Sequence, residues 1–198
     1  NLDKKYLLDL SKNGVNIPPT KIIKKATGAV SLSGLCCQNG WGDIVIKPSI
    51  SAAAWNTHYV PKNKRSEFEN IFSFLAKEQD MIIQEFQKNI KTFGEISMIM
   101  IGGKYTHAVI KHAKKGDFRV QDDFGGSVKQ HFATKQQVEF ANNVLNSLNF
   151  KPLYARVDLI LDNQNNLALS ELELIEPELW FRFNPEAAVK LAAEIKQA

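Results

Sequence analysis

Apolar residues recur along this chain with two periods, one near 3.6 and one of 2, and their interleaving predicts an α+β fold with mostly antiparallel sheets. Tyr6, Leu7 and Leu10 share a helical face for which Asp3 is the expected N-cap, and Gly14 and Pro18-Pro19 end that helix. A short helix is expected over 29–37. After Pro61, the residues Phe68, Ile71, Phe72 and Leu75 mark an amphipathic helix. Val138, Ala141, Leu145 and Leu148 line another, opened by Thr134 with Gln137 placed for a capping box. Asn184-Pro185-Glu186 starts the last, with Pro185 at the first helical position. Strand patterns fall at 21–25, 43–47, 81–86, 95–101, 105–112, 154–161 and 167–175. Gly102-Gly103 predicts a tight hairpin and 162–166 a longer one. The small residues of 49–54 and the stretch 116–127, with Gly125-Gly126 near its end, read as loops, the second a mobile one.

Candidate chemistry concentrates in the last hairpin. A period of two places Glu171 and Glu173 on one face, about 7 Å apart, where they repel by roughly 2–3 kcal/mol at an effective dielectric near 20. Leu172, Leu174 and Ile175 flank them, and Asp158 on the preceding strand comes within about two residues of Glu171 if the 162–166 turn pairs the strands. Three such oxygen donors suit Mg²⁺, which commonly also bridges phosphates. A solvated acidic face is the competing reading.

Other features are individually weak. Lys47 ends the apolar run Ile44-Val45-Ile46 and either snorkels to water or holds a phosphate as a point charge. Lys4 is a second such candidate. Gln84-Glu85-Phe86 leaves an apolar strand, either as an ordinary strand end or with backbone groups set to meet a flat heterocycle. Arg119, in the 116–127 loop, can clamp a transferring phosphate. His58, His107, His112 and His131 lack metal spacing, and a structural role is expected for His107. There is no P-loop, dinucleotide fingerprint or hydrolase triad motif.

At 198 residues, 44% hydrophobic and 23% charged, the chain has the composition of an ordinary globular protein. Its net charge of +4 is too small and scattered to argue for nucleic acid, and no apolar run reaches the roughly 18–20 residues of a membrane span. Adjacent Cys36 and Cys37 cannot build a disulfide framework, so a reducing cytoplasm is the expected compartment, a vicinal redox pair or metal site being the alternative; no signal-peptide pattern is seen.

The order of the pieces is more specific than any one of them. Asn-Leu-Asp-Lys-Lys-Tyr-Leu-Leu at 1–8 is followed by Gly-Val-Asn-Ile-Pro-Pro-Thr at 14–20, Val-Ile-Lys-Pro at 45–48 and Gln-Glu-Phe at 84–86. Gly-Glu at 94–95, Gly-Asp-Phe-Arg at 116–119, Gly-Gly at 125–126 and the acidic strand pair complete the series. This order resembles the ATP-grasp superfamily, especially the branch with prokaryotic glutathione synthetase, D-alanine–D-alanine ligase and the ligases that add glutamate to ribosomal protein. The run Glu171-Leu-Glu-Leu-Ile-Glu-Pro177, with Ala-Arg-Val-Asp at 155–158, is similar to relatives of the cycloserine-forming cyclo-ligase.

The resemblance implies a nucleotide between two lobes: a helix and linker over 1–20, a small lobe over 21–86 and a large one over 87–198. It further implies that Lys4 and Lys47 contact ATP phosphates, that the segment Gln84, Glu85, Phe86, Gln87 meets adenine and Glu95 the ribose, and that Arg119 faces an acyl phosphate. Asp158, Glu171 and Glu173 would bind one or two Mg²⁺ ions, with Mn²⁺ a substitute. The implied activity is an ATP-dependent carboxylate–amine or carboxylate–thiol ligase acting on small molecules, a homo-oligomer remaining open. An ATP-binding module without turnover is the alternative. Three departures stand out: Glu173 where asparagine is usual, Ser97 where the glutathione synthetase type has arginine, and a start at the first lysine motif, without the usual preceding domain.

Overall fold

A computed structural model describes residues 2–28, 30–51, 55–114 and 126–197. The chain forms two compact units, one of Leu2–Lys5 with Pro18–Gln87, the other of Tyr6–Ile17 with Lys88–Ala198. No helix among the described residues is long and apolar enough to cross a membrane.

The first unit holds a four-stranded antiparallel sheet in the order β1 (Thr20–Ile23), β4 (Met81–Glu85), β2 (Ile44–Pro48), β3 (His58–Val60). Ile44, Ile46, Met81 and Ile83 alternate onto one face and bury against Leu32 and Cys36 of α2 (Leu32–Asn39) and Phe72, Leu75 and Ala76 of α3 (Arg65–Glu78). Each fully buried side chain of this size contributes about 1.5–3 kcal/mol. Ser31 caps α2 by accepting the Gly34 N–H, while the Glu69 carboxylate of α3 accepts those of Leu32 and Ser33. That carboxylate thereby ties the two helices together. Ile71, expected on the inner face of α3, is 43% exposed; it sits about 100° round from Phe72, outside the stripe that packs.

The second unit holds a five-stranded antiparallel sheet in the order β7 (Ser127–His131), β6 (Lys104–His112), β5 (Glu95–Ile101), β8 (Tyr154–Leu161), β9 (Leu167–Glu173). Helices α1 (Tyr6–Lys12) and α5 (Lys135–Asn146) cover one face, burying Leu7, Leu10, Ala141 and Val144 against Ile96, Met98, Val157 and Leu159. The capping box of α5 forms as expected: Thr134 Oγ1 accepts the Gln137 N–H, and Gln137 Oε1 accepts that of Thr134. On the opposite face, Ala187 of α6 (Pro185–Gln197) and Trp180 cover Ile99, Ile101 and Val109. The same face also carries Glu95, Lys111, Arg156, Asp158 and Glu173. Gly102 (φ 57°) and Gly103 (φ 74°) make the two-residue hairpin between β5 and β6, a turn needing left-handed backbone at both positions.

Asp3 does not cap α1. It pairs with Ile50 in an isolated bridge and accepts the Lys5 N–H, and the helix starts only at Tyr6. β3, β7 and the single turn α4 (Ile90–Phe93) were not anticipated, because three residues, a polar edge strand and one turn carry no periodic signal. β9 ends at Glu173, two residues short of expectation, and left-handed backbone follows at Glu176. As an edge strand it has outward N–H groups: Leu169 donates to the Asn16 carbonyl and Leu172 to Tyr6 Oη, both at 2.8 Å.

Candidate functional site

The acidic hairpin is in the register its spacing suggested. Asp158 pairs with Glu171 and Arg156 with Glu173, while Leu159 pairs with Leu169, so Ser170 is an extra residue in a bulge. Strict alternation would put Leu169 on the same face as Glu171. The bulge changes the parity, so that Leu169 and Leu172 both bury in the core while the glutamates stay on the charged face.

On that face, charges alternate in sign across four strands. Lys111 Nζ lies 2.5 Å from Glu95 Oε1 and 3.6 Å from Asp158 Oδ2. Arg156 grips Asp158 with Nε at 3.0 Å from Oδ1 and Nη2 at 2.9 Å from Oδ2, and the same Nη2 reaches Glu173. Hydroxyls complete the network: Ser97 donates to Asp158 Oδ1 at 2.6 Å and Ser170 to Glu95 Oε2 at 2.7 Å. The side chains of Asp158, Lys111 and Glu95 are 2%, 5% and 9% exposed, so these are buried ion pairs. Among the described residues, Glu95, Asp158 and Glu173 share Lys111 and Arg156 as ion-pair partners, and Glu171 lies across from Asp158 on the same face.

Burial and these neighbours set the titration of each group. Burial alone would raise Asp158, but Arg156, Lys111 and the hydrogen bonds to its oxygens hold it below the usual carboxylate range. Burial would lower Lys111, and Asp158 and Glu95 outweigh it and raise the ammonium. Glu173 goes the other way: burial, then Asp158 and Glu171, push it up to about 7 against the pull of Arg156.

Gly94, before Glu95, has φ +84°, and a Cβ there would meet the Lys111 carbonyl oxygen at 2.4 Å. Only glycine lets β5 start this close to β6.

In the first unit, Val45 and Lys47 lie on the sheet face opposite its core, with Tyr59, Gln84 and Ile82 as cross-strand partners. Gln84 is buried and donates to Thr20 Oγ1 at 2.9 Å. The rings of Tyr59 and Phe86 meet edge to face at 4.7 Å, and the Phe86 N–H donates to the Asp43 carbonyl. Tyr59 in turn donates to Asp43 Oδ2 at 2.5 Å, and its hydroxyl is pushed up to about 12 by burial and this carboxylate. Gln87 is buried, and its side chain donates to the Glu85 carbonyl. Lys4 is buried, with Nζ donating to the Ser51 carbonyl at 2.7 Å.

Lys47, Gln84 and Phe86 thus gather in one unit, and Glu95, Asp158, Glu171 and Glu173 on one face of the other. Arg119 lies outside the described residues. Arg156 and Lys111 were missed as members of the charged face; an arginine two residues before an acid on an apolar strand was the available signal. His107 is buried, with Nε2 held by the Leu179 and Trp180 carbonyls at 3.0 and 3.2 Å, the structural role expected. Cys36 is buried and Cys37 exposed, both as free thiols.

No three His, Cys, Asp or Glu side chains among the described residues are arranged to hold a metal ion. The donors nevertheless fit a hard divalent cation in type, all carboxylate oxygens, and in their shared face and register. What stands between Asp158 and Glu173 is the Arg156 guanidinium.

A family model described as the ATP-grasp domain of prokaryotic glutathione synthetase matches residues 13–177. The cycloserine biosynthesis protein DcsG of Streptomyces lavendulae is 24% identical over 212 residues, covering 99% of this chain and 69% of that protein. The crystal structure of D-cycloserine synthetase DcsG superimposes with a TM-score of 0.87 at 23% identity, over 99% of this chain and 69% of that one. D-alanine–D-alanine ligase from Bacillus anthracis, complexed with ATP, gives a TM-score of 0.70 at 17% identity, over 99% of this chain and 65% of that one.

Proposed function

Because the chain belongs to the ATP-grasp family of prokaryotic glutathione synthetase, whose model matches most of its length, we propose that it is an ATP-dependent ligase joining a carboxylate to an amine or thiol. The observation that carries this reading is the in-register pairing of Asp158 with Glu171, and of Glu173 with Arg156, on a buried charged face. The similarity to an ATP-complexed ligase supports ATP as the nucleotide.

In this reading Lys4 and Lys47 bind phosphate oxygens, and the backbone of Gln84 to Gln87 meets the adenine beside the Phe86 ring. Glu95 takes the ribose hydroxyls, each of its oxygens having one partner already, Lys111 or Ser170. Asp158, Glu171 and Glu173 would hold Mg²⁺, which would supply charge neutralisation to the phosphates. The terminal phosphoryl group passes from ATP to a substrate carboxylate, giving ADP and an acyl phosphate. An amine or thiol then attacks the acyl carbon, and phosphate leaves. Such transfer needs positioned cations more than side-chain acid–base chemistry, and Arg119, Lys47 and Arg156 supply them. The similarity to DcsG favours a small amino-acid-like substrate.

The test is product analysis with Mg²⁺–ATP and a panel of carboxylates and amines. ADP and phosphate, released only when both substrates are present, are expected. AMP and pyrophosphate would refute the acyl-phosphate route.

A further inference from the structure

We infer that Arg156 is the resident counter-ion of the acidic strand pair, and that a divalent cation binds only by displacing its guanidinium from Asp158 and Glu173. The inference rests on the reading of those acids as cation ligands and concerns how access to them is regulated.

A carboxylate offers about four lone-pair positions. At Asp158 all are claimed: Oδ1 by the Ser97 hydroxyl and Arg156 Nε, Oδ2 by Arg156 Nη2 at 2.9 Å and Nε at 3.2 Å, with the Lys111 ammonium a further 3.6 Å ion-pair partner. A divalent ion needs one of them at about 2.1 Å, closer than any hydrogen-bond donor stands. Ser97 is a short bond from the adjoining strand, and Lys111 is held by Glu95 at 2.5 Å. Arg156 is the group able to yield, since it is the longest of the three side chains on Asp158, is more exposed than Lys111 or Asp158 at 11%, and joins Asp158 to Glu173.

Its exchange for a dication leaves the face no more negative than before. The freed guanidinium, still charged, needs an oxyanion in reach, and a phosphate arriving with the cation supplies one. Cation binding and nucleotide binding are therefore coupled through one side chain, and the cation alone binds weakly.

The experiment measures Mn²⁺ alone, without nucleotide, by counting free ion with electron paramagnetic resonance on the full chain. Arg156→Gln is expected to bind Mn²⁺ at least about tenfold more tightly than the wild type, because the competing charge is gone. Adding Glu171→Gln to that variant is expected to abolish the gain. Unchanged or weaker binding in Arg156→Gln, or a gain that survives Glu171→Gln, overturns the inference. Should Arg156→Gln fail to keep the wild-type circular dichroism, Arg156→Lys serves instead. An ammonium lacks the two-pronged grip, so a several-fold gain is expected and no gain overturns the inference. The ligase reading is tested separately by ADP release: Mn²⁺ results that fail while ADP is released remove only the counter-ion role.

Discussion

Replacing Lys111 by methionine keeps an unbranched side chain one atom shorter and removes its charge, and so isolates what the buried ion pair does. At the observed 2.5 Å from Glu95 and 3.6 Å from Asp158, the gross attractions are about 7 and about 5 kcal/mol at an effective dielectric near 20. Most of this offsets the several kcal/mol lost by taking each ion out of water. The variant keeps that loss for Glu95 and Asp158 and forfeits the attraction, so the expected destabilisation is about 3–5 kcal/mol. In a chain of this length that lowers the melting temperature by on the order of 10 °C. Urea unfolding at neutral pH, followed by far-ultraviolet circular dichroism, measures it. A second substitution separates charge from packing: Glu95→Gln in the methionine background removes one stranded anion and should restore part of the loss. Destabilisation below about 1 kcal/mol would refute the account, since it would mean that solvent or a shifted neighbour already compensates both acids.

Three further outcomes are expected. Gly94→Ala must move a Cβ off the Lys111 carbonyl at 2.4 Å and hold alanine at φ +84°, costing at least about 2 kcal/mol in a urea titration. Glu173 is pushed up to about 7 from 4.5, so its contribution is full below about 4.5 and is lost as pH rises through 7; Glu173→Gln should flatten the stability–pH profile over that window and be the more stable protein at pH 8 by about 1–2 kcal/mol. Lys47→Ala should weaken ATP binding about ten- to a hundredfold by calorimetry, the loss typical of a hydrogen bond to a charged group, with the melting curve of the free protein little changed.

Legibility in the sequence followed the strength of local signals. The capping box at Thr134 and Gln137 predicted the start of α5, and the 162–166 turn predicted the end of β8, because both are written in adjacent residues. The pairing of Asp158 with Glu171 could be reached by counting outward from the 162–166 turn, though not the bulge at Ser170, since nothing in Leu-Ala-Leu-Ser-Glu marks which residue is extra. The expectations for Ile71 and Asp3 failed where tertiary packing overrode local pattern: one is turned away from the stripe, the other taken by a bridge to Ile50. Arg156 and Lys111 escaped notice for a different reason. A buried cation is recognised mainly through its partners, and most of these lie across a hairpin, as Glu95 does from Lys111 and Glu173 from Arg156, or on a strand distant in sequence, as Asp158 does from Lys111. The acids were found as a cluster, while the charges that balance them became visible only with the sheet assembled.

The outer margin of β9 has a bearing on how the protein fails. Its outward amide donors at Leu169 and Leu172 are sealed by the Asn16 carbonyl and Tyr6 Oη, from α1 and the segment after it. A protease cut or truncation that strips those residues would bare a strand flanked by leucines, a ready template for another chain to add onto. Such loss would first be seen as turbidity or fibre formation, ahead of any change in chemistry, so α1 and the residues after it also guard against aggregation.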